Sequence, residues 1–194
     1  MTTPPRRARD PSATRTPGVV LRPPTGKDKD EYLRVREESR AWLEPWDPTT
    51  PDGLDLFSEE AFKRFLMTSA TDTSRRFLVR LADTDRIAGQ ISLNNIVRGA
   101  FQSASVGYWV ARPYAGRGIM TRALALTVQL AFDGLGLHRV EANIMPRNAP
   151  SIALVARLGF RREGASARFL KINGVWEDHE RWALTVEDPR PPTT

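Results

Sequence analysis

The chain has 194 residues, 40% of them hydrophobic, a formal net charge of +6 and no Cys. That length suits one domain with a single sizeable core, and the lack of Cys excludes disulfides, thiolate metal sites and a cysteine acyl-enzyme. The two His, His138 and His179, lie far apart and argue against a His-based metal site, and without an eighteen-residue apolar run no membrane span is expected.

Residues 1–17 read as a disordered basic tail. Pro4, Pro5, Pro11 and Pro17 stand with Arg6, Arg7, Arg9 and Arg15 and a single acid, Asp10. Such a tail either touches RNA or the ribosome or is a solvated leader without a role. No apolar signal-peptide core is present, so a cytoplasmic location is expected. Residues 18–187 form the expected domain, and residues 188–194 a Pro-rich C-terminal tail.

Val19–Leu21 is a short first strand, stopped by Pro23 and Pro24. A helix is expected through Lys27 to Trp42, with Tyr32, Leu33 and Val35 on its apolar side and Glu31, Arg34, Glu37, Glu38 and Arg40 in water. Leu43 to Pro48 holds Pro45, Trp46 and Pro48 just beyond Trp42. That stiff aromatic corner either packs a loop on the core or borders a cleft. Ser58 caps the next helix, with Glu59 and Glu60 in its first turn. Strands at 77–81 and 87–96 are joined by the turn at 82–85.

Val106 to Leu126 reads VGYWVARPYAGRGIMTRALAL. Val106, Tyr108 and Val110 alternate with Gly107, Trp109 and Ala111, which is a strand signal. Pro113 ends the ladder. Gly116 and Gly118 then permit a left-handed turn with open N–H groups, and from Ile119 the apolar spacing becomes helical. A strand, a glycine turn and a helix N-terminus together favour an anion, typically a phosphate. An ordinary tight turn fits the turn alone equally well. The dinucleotide fingerprint fails at Thr121, and no phosphate-loop lysine motif occurs. Arg112, Arg117 and Arg122 are either a solvated face or a pyrophosphate clamp.

The long helix is expected to stop at Gly134-Leu135-Gly136. His138 to Phe160 reads HRVEANIMPRNAPSIALVARLGF: a strand, then Asn-x-x-Ser, then a short helix opened by Asn148 and ended by Gly159. Closing strands follow at 160–162, 169–172 and 182–186, with Asn173-Gly174 as a hairpin turn. The order of elements is mixed α/β rather than a doubly wound sheet.

Taken together, YAGRGIMTRAL, RVEANIMPRNAPS, LVARLGFRREG, NGVWEDHERWAL and AWLEPW resemble the GNAT superfamily of acetyl-CoA-dependent N-acetyltransferases. More narrowly they resemble its Rim-type branch (RimJ/RimL), which acetylates ribosomal-protein N-termini. The matching segments run in order through Ala41 to Leu184. One departure is that the superfamily turn carries Gln or Arg where this chain has Pro113.

The resemblance implies a twisted mixed sheet of six or seven strands, flanked by about four helices, with a central strand pair splayed at one end. It implies acetyl-CoA as cosubstrate. Pantetheine would lie against Tyr108, Trp109 and Val110, and the pyrophosphate on Ala115, Gly116, Arg117, Gly118, Ile119 and Met120, with Thr121 adding a hydroxyl. Asn143 and Asn148 would face the pantetheine amides, although Asn148 is also explained as a helix cap alone. A backbone N–H near Val110 is the oxyanion donor. Ser151 would donate to the leaving sulfur, or else cap its helix. For the base, Glu141 either lines the cleft or pairs with Arg139, and Glu177, Asp178 and His179 form a second acidic group.

Three functions follow: an N-acetyltransferase for a protein N-terminal amine, one for a small amine such as an aminoglycoside or polyamine, or an acyl-CoA-binding sensor. Transfer is expected to be direct, through a ternary complex, because no nucleophile pairing stands in one motif. No metal is expected, and the protein is expected to be a monomer or homodimer.

Overall fold

The computed structural model describes residues 14–16 and 18–190. Nine strands form one sheet: β1 (Thr14–Thr16), β2 (Val19–Arg22), β3 (Ala70–Thr71), β4 (Ser74–Leu81), β5 (Ile87–Val97), β6 (Ser103–Val110), β7 (Arg139–Ile144), β8 (Arg161–Ile172) and β9 (Val175–Thr185). Their order is β1-β2-β4-β5-β6-β7-β9-β8, with β3 paired to β4. The count exceeds six or seven for local reasons. β3 is only two residues long, and β1 lies inside the stretch expected to be a basic tail, where it adds antiparallel to the outer edge of β2. The rest of that tail (1–13 and 17) and residues 191–194 fall outside the described residues. Just before the latter, Asp188 takes the Thr185 N–H at 2.8 Å and Arg190 pairs with Asp133 at 3.3 Å, tying the chain end to the domain.

Five α-helices flank the sheet: α1 (Lys29–Glu38), α2 (Arg40–Leu43), α3 (Glu59–Met67), α4 (Ile119–Gln129) and α5 (Ala149–Arg157). The α1 and α3 side buries Tyr32, Val35, Phe62, Phe65, Leu78 and Ile87. The opposite side buries Leu21, Val79, Ile91, Leu124, Val128, Val140 and Val155 beneath α4 and α5. Helix α4 is apolar nearly all round, as a helix covered on all sides must be. Its last turn widens into a π-helix over Leu130–Gly134, and Gly136 then takes φ 62°.

Three departures from the sequence reading stand out. The helix expected over Lys27 to Trp42 is interrupted at buried Ser39, whose Oγ accepts the Arg112 N–H at 3.3 Å. The interruption turns Trp42 and Leu43 toward the glycine turn. Glu31, expected in water, instead accepts from Ile87 N–H at 2.8 Å and pairs with buried Arg80 at 3.3 Å, pinning α1 to the sheet. The three closing strands expected are two long ones, β8 and β9, because bulges keep the hairpin paired across Gly164 and Arg168.

Strands β6 and β7 form the parallel pair at the centre. They are in register only at Ser103↔Arg139, Ala104↔Val140 and Ser105↔Glu141. Beyond Ser105 they separate, and the separation is the structural origin of the cleft.

Candidate active site

A cleft of about 550 Å³ opens where β6 and β7 part. Its walls are Tyr108, Trp109 and Val110 of β6, the turn residues Tyr114, Ala115, Gly116 and Gly118, and Ile119, Met120 and Thr121 of α4. Helix α5 adds Asn148, Pro150, Ser151, Ala153, Leu154 and Arg157, and Trp42, Leu43 and Trp46 close the third side.

The glycine turn has the geometry an anion needs. Gly116 and Gly118 take φ 72° and 73°, which non-glycine residues rarely adopt. Gly118 is the N-cap of α4 and offers no side chain to the first helical N–H groups. Those donors and the positive end of the helix dipole are left for a ligand.

Val110 carries exposed backbone polarity. Its carbonyl accepts from Trp42 Nε1 at 3.1 Å rather than from β5. In a strand the N–H and C=O of one residue point the same way, so the Val110 N–H also faces the opening.

On the α5 side, Tyr108 Oη and Ser151 Oγ are 2.5 Å apart. Asn148 is the helix cap: its Oδ1 accepts the Ser151 N–H at 3.2 Å. The Ser151 hydroxyl is therefore not needed for capping and is committed to Tyr108. Burial pushes the Tyr108 hydroxyl up to about 12, and the bond to Ser151 offsets this only in part. At neutral pH the pair carries protons and can donate one.

Three residues named from the sequence do not line the cleft. Glu141 lies at the closed end of the strand pair, held by Arg139 Nε at 2.6 Å, while the same guanidinium also holds Glu163. Of the two readings of Glu141, the pair with Arg139 is the one found, and Glu141 is not among the residues that line the cleft. The Arg117 side chain leans over the Tyr114 ring, 5.8 Å from its centroid, and lines a separate shallow hollow with Arg122 and Asp83. Only its backbone remains beside the turn. Asn143 stands on β7 past the last paired residue, with its Oδ1 buried and lacking a partner.

The acidic group near the hairpin is also engaged elsewhere. Glu177 binds Arg147 at 2.8 Å, Asp178 accepts the Arg168 N–H at 2.7 Å, and His179 is buried with Nδ1 3.0 Å from the Glu177 carbonyl. Among the described residues the cleft has no carboxylate, and Arg157 is its one charged side chain. No cluster of three or more His, Asp or Glu among them is placed to hold a metal ion.

Sequence reasoning missed Arg157 as a lining residue, whereas the aromatic corner, read as packing on the core or bordering a cleft, does border it through Trp42 and Trp46. Helical spacing gave a signal for Arg157, since Pro150, Ser151, Leu154 and Arg157 fall on one stripe of α5. The aromatic corner is held by a buried ion pair, Arg36–Asp47 at 2.8 Å, which no local pattern announces. Burial raises the Asp47 carboxyl above its ordinary value in spite of Arg36.

A mixed sheet splayed beside a glycine turn and helix N-terminus defines an acyl-CoA-dependent acyltransferase. A family model for the acetyltransferase (GNAT) domain matches residues 19–161, and the chain belongs to that family. It is 36% identical over 174 residues to the probable N-acetyltransferase YjcK of Bacillus subtilis, covering 88% of this chain and 95% of that protein. It is 33% identical over 178 residues to the ribosomal protein uS5-alanine N-acetyltransferase of Escherichia coli, covering 91% and 92%. Mycobacterium smegmatis RimJ in complex with CoA-disulfide superposes with a TM-score of 0.79 at 34% identity, covering 91% of this chain and 87% of that one.

The chain is thus an N-acetyltransferase that uses acetyl-CoA. The residues present fit that substrate: unsatisfied N–H groups at the turn for phosphate, an open strand edge for amides, and an apolar cleft for the pantetheine arm. Among the described residues no helix is long and apolar enough to cross a membrane.

Proposed function

We propose that the acceptor is the N-terminal amine of a protein and that transfer is direct, within a ternary complex. The observation that carries this reading is the lining of the cleft. It is aromatic and apolar, has no carboxylate among the described residues, and bears one positive charge, Arg157. A polyamine or aminoglycoside would need acids to replace its lost hydration, whereas a neutral α-amine needs only room and orientation. The likeness to the uS5-alanine enzyme supports the same acceptor class.

In this reading the chain's own groups act by position. The Val110 N–H donates toward the thioester carbonyl oxygen as negative charge develops there. The amine nitrogen forms its bond to the carbonyl carbon while the carbon–sulfur bond breaks. Tyr108, steadied by Ser151, donates a proton to the departing sulfur. The amine's proton leaves to water, because no carboxylate lines the cleft, and alignment of the two reactants supplies much of the rate. The chain has no Cys to carry the acetyl group.

The test is a free-thiol release assay with acetyl-CoA and a panel of peptides, spermidine and aminoglycosides. Peptides with a free α-amine should turn over, and the same peptides blocked at the N-terminus should not. Faster turnover of spermidine than of every peptide contradicts the acceptor assignment. An acetylated enzyme formed without acceptor contradicts direct transfer.

A further inference from the structure

The sheet face on the α1 and α3 side carries polar residues that the reaction described above leaves unused. Cross-strand register sets Arg76, Ser92 and Gly107 side by side on β4, β5 and β6. Across the separation, Asn143 and Arg181 share that face on β7 and β9. Gly107 is exposed although it lies in a central strand. A Cβ there would meet only Asn94 Nδ2, at 3.5 Å, while Ser92 beside it is buried. The face meets the acetyl cleft at Trp109, which lines the cleft and donates to Gln90 Oε1 at 3.4 Å. Tyr32 donates to the same oxygen at 2.9 Å.

Arg76 is the unexplained group on this face. It is half-buried, and its Nε is buried with no acceptor among the described residues. Burial lowers its pKa, and the only group acting on it the other way is Tyr32, not a carboxylate. The nearby acids on the face, Glu141 and Glu163, both belong to Arg139. A desolvated guanidinium without a counter-ion is costly, and a carboxylate arriving in bidentate geometry relieves that cost. Arg181, exposed across the strand separation, adds positive charge to the same face.

We propose that Arg76 binds an acidic side chain near the start of the acceptor, so that the enzyme selects protein N-termini carrying an early Asp or Glu. This rests on the reading of the acceptor as a protein N-terminus. Arg76 lies two strands from β6, about 10 Å at the usual strand spacing, and its register partner there, Gly107, lies three residues, about another 10 Å, from Val110. An extended chain advances about 3.3 Å per residue, so the diagonal of about 14 Å puts the acid at about the fourth or fifth acceptor residue.

The experiment is steady-state kinetics with peptide pairs that differ only by Glu or Gln at position four or five, with spermidine alongside, on the wild type, Arg76→Gln and Arg76→Lys. The wild type should prefer the Glu member of a pair by about 10- to 100-fold in kcat/KM, mostly through KM, as expected for a charge-assisted bidentate contact. In Arg76→Gln that ratio should collapse to about 1, and Arg76→Lys should restore part of it, since a point charge replaces the fork. Equal use of Glu and Gln peptides by the wild type, which needs no variant to fold, overturns the proposal and leaves the peptide reading intact. A Glu preference that survives in Arg76→Gln also overturns it. Spermidine outpacing every peptide overturns both readings together.

Discussion

The same two strands behave in opposite ways at their two ends. At the closed end β6 and β7 are in register over three residues, with Ser103, Ala104 and Val140 buried. Charge there is internally balanced: Arg139 bridges Glu141 and Glu163, which raises the arginine and holds the Glu163 carboxyl below its ordinary value. At the open end nothing pairs Tyr108–Val110 with Asn143–Ile144, and the Asn143 Oδ1 has no partner. An unmade buried hydrogen bond costs about 1–3 kcal/mol. The closed end satisfies its polar groups internally, and the open end does not.

Substitutions that confuse the two ends should have graded effects. Gly118→Asp should do most damage, because it forces a side chain onto φ 73° and sets a carboxylate at the turn whose open N–H groups suit a phosphate. Calorimetry should show acetyl-CoA affinity weakened about 100-fold, or roughly 3 kcal/mol. A folded variant with unchanged affinity would break the assignment of the turn.

Tyr108→Phe sharpens the open end. Removing the hydroxyl should lower kcat about 10- to 100-fold. The pH profile is equally informative. Because the folded-state pKa of Tyr108 is raised to about 12, the proton stays on throughout the neutral range. Its stabilising contribution is complete below the ordinary tyrosine value of about 10, and is lost only as pH rises from there through about 12. The pH dependence near neutrality then belongs to the acceptor amine. For a peptide acceptor kcat/KM should climb through about pH 8 and stay level to about pH 10. A descending limb between pH 8 and 9 would mean that a different group supplies the proton.

The smallest effect should come from the closed end. Glu141→Gln should leave kcat within about twofold and reduce stability by no more than about 1 kcal/mol, since the pair with Arg139 is partly exposed. A hundredfold loss of kcat with an intact melting curve would restore Glu141 as a base.

Much of this arrangement is legible in the sequence, because it is written in local chemistry. Gly116 and Gly118 announce the turn through their backbone freedom, Ser58 and Asn148 cap the helices expected of them, and Asn173-Gly174 turns the last hairpin. What stays hidden is long-range. Where β6 stops pairing with β7 depends on residues over thirty positions apart. Strand alternation places Glu141 and Asn143 on one face but does not tell which end of the separation each occupies. Arg117 sits in the motif, yet its side chain turns to Tyr114. The Arg36–Asp47 pair that holds the Trp46 loop joins a helix to a loop, with no periodic pattern to betray it.

The measurement that bears most directly on the open end is turnover against melting temperature in Ser151→Ala. Asn148 caps the helix, and the Ser151 hydroxyl bonds Tyr108 instead. The variant should therefore melt within about 2 °C of the wild type. Its kcat should fall by roughly 10- to 1,000-fold, as for a lost general-acid contact, with the KM for acetyl-CoA changed by less than about threefold. A variant of unchanged stability that keeps wild-type kcat across the pH range would show that the Tyr108–Ser151 pair takes no part in acetyl transfer.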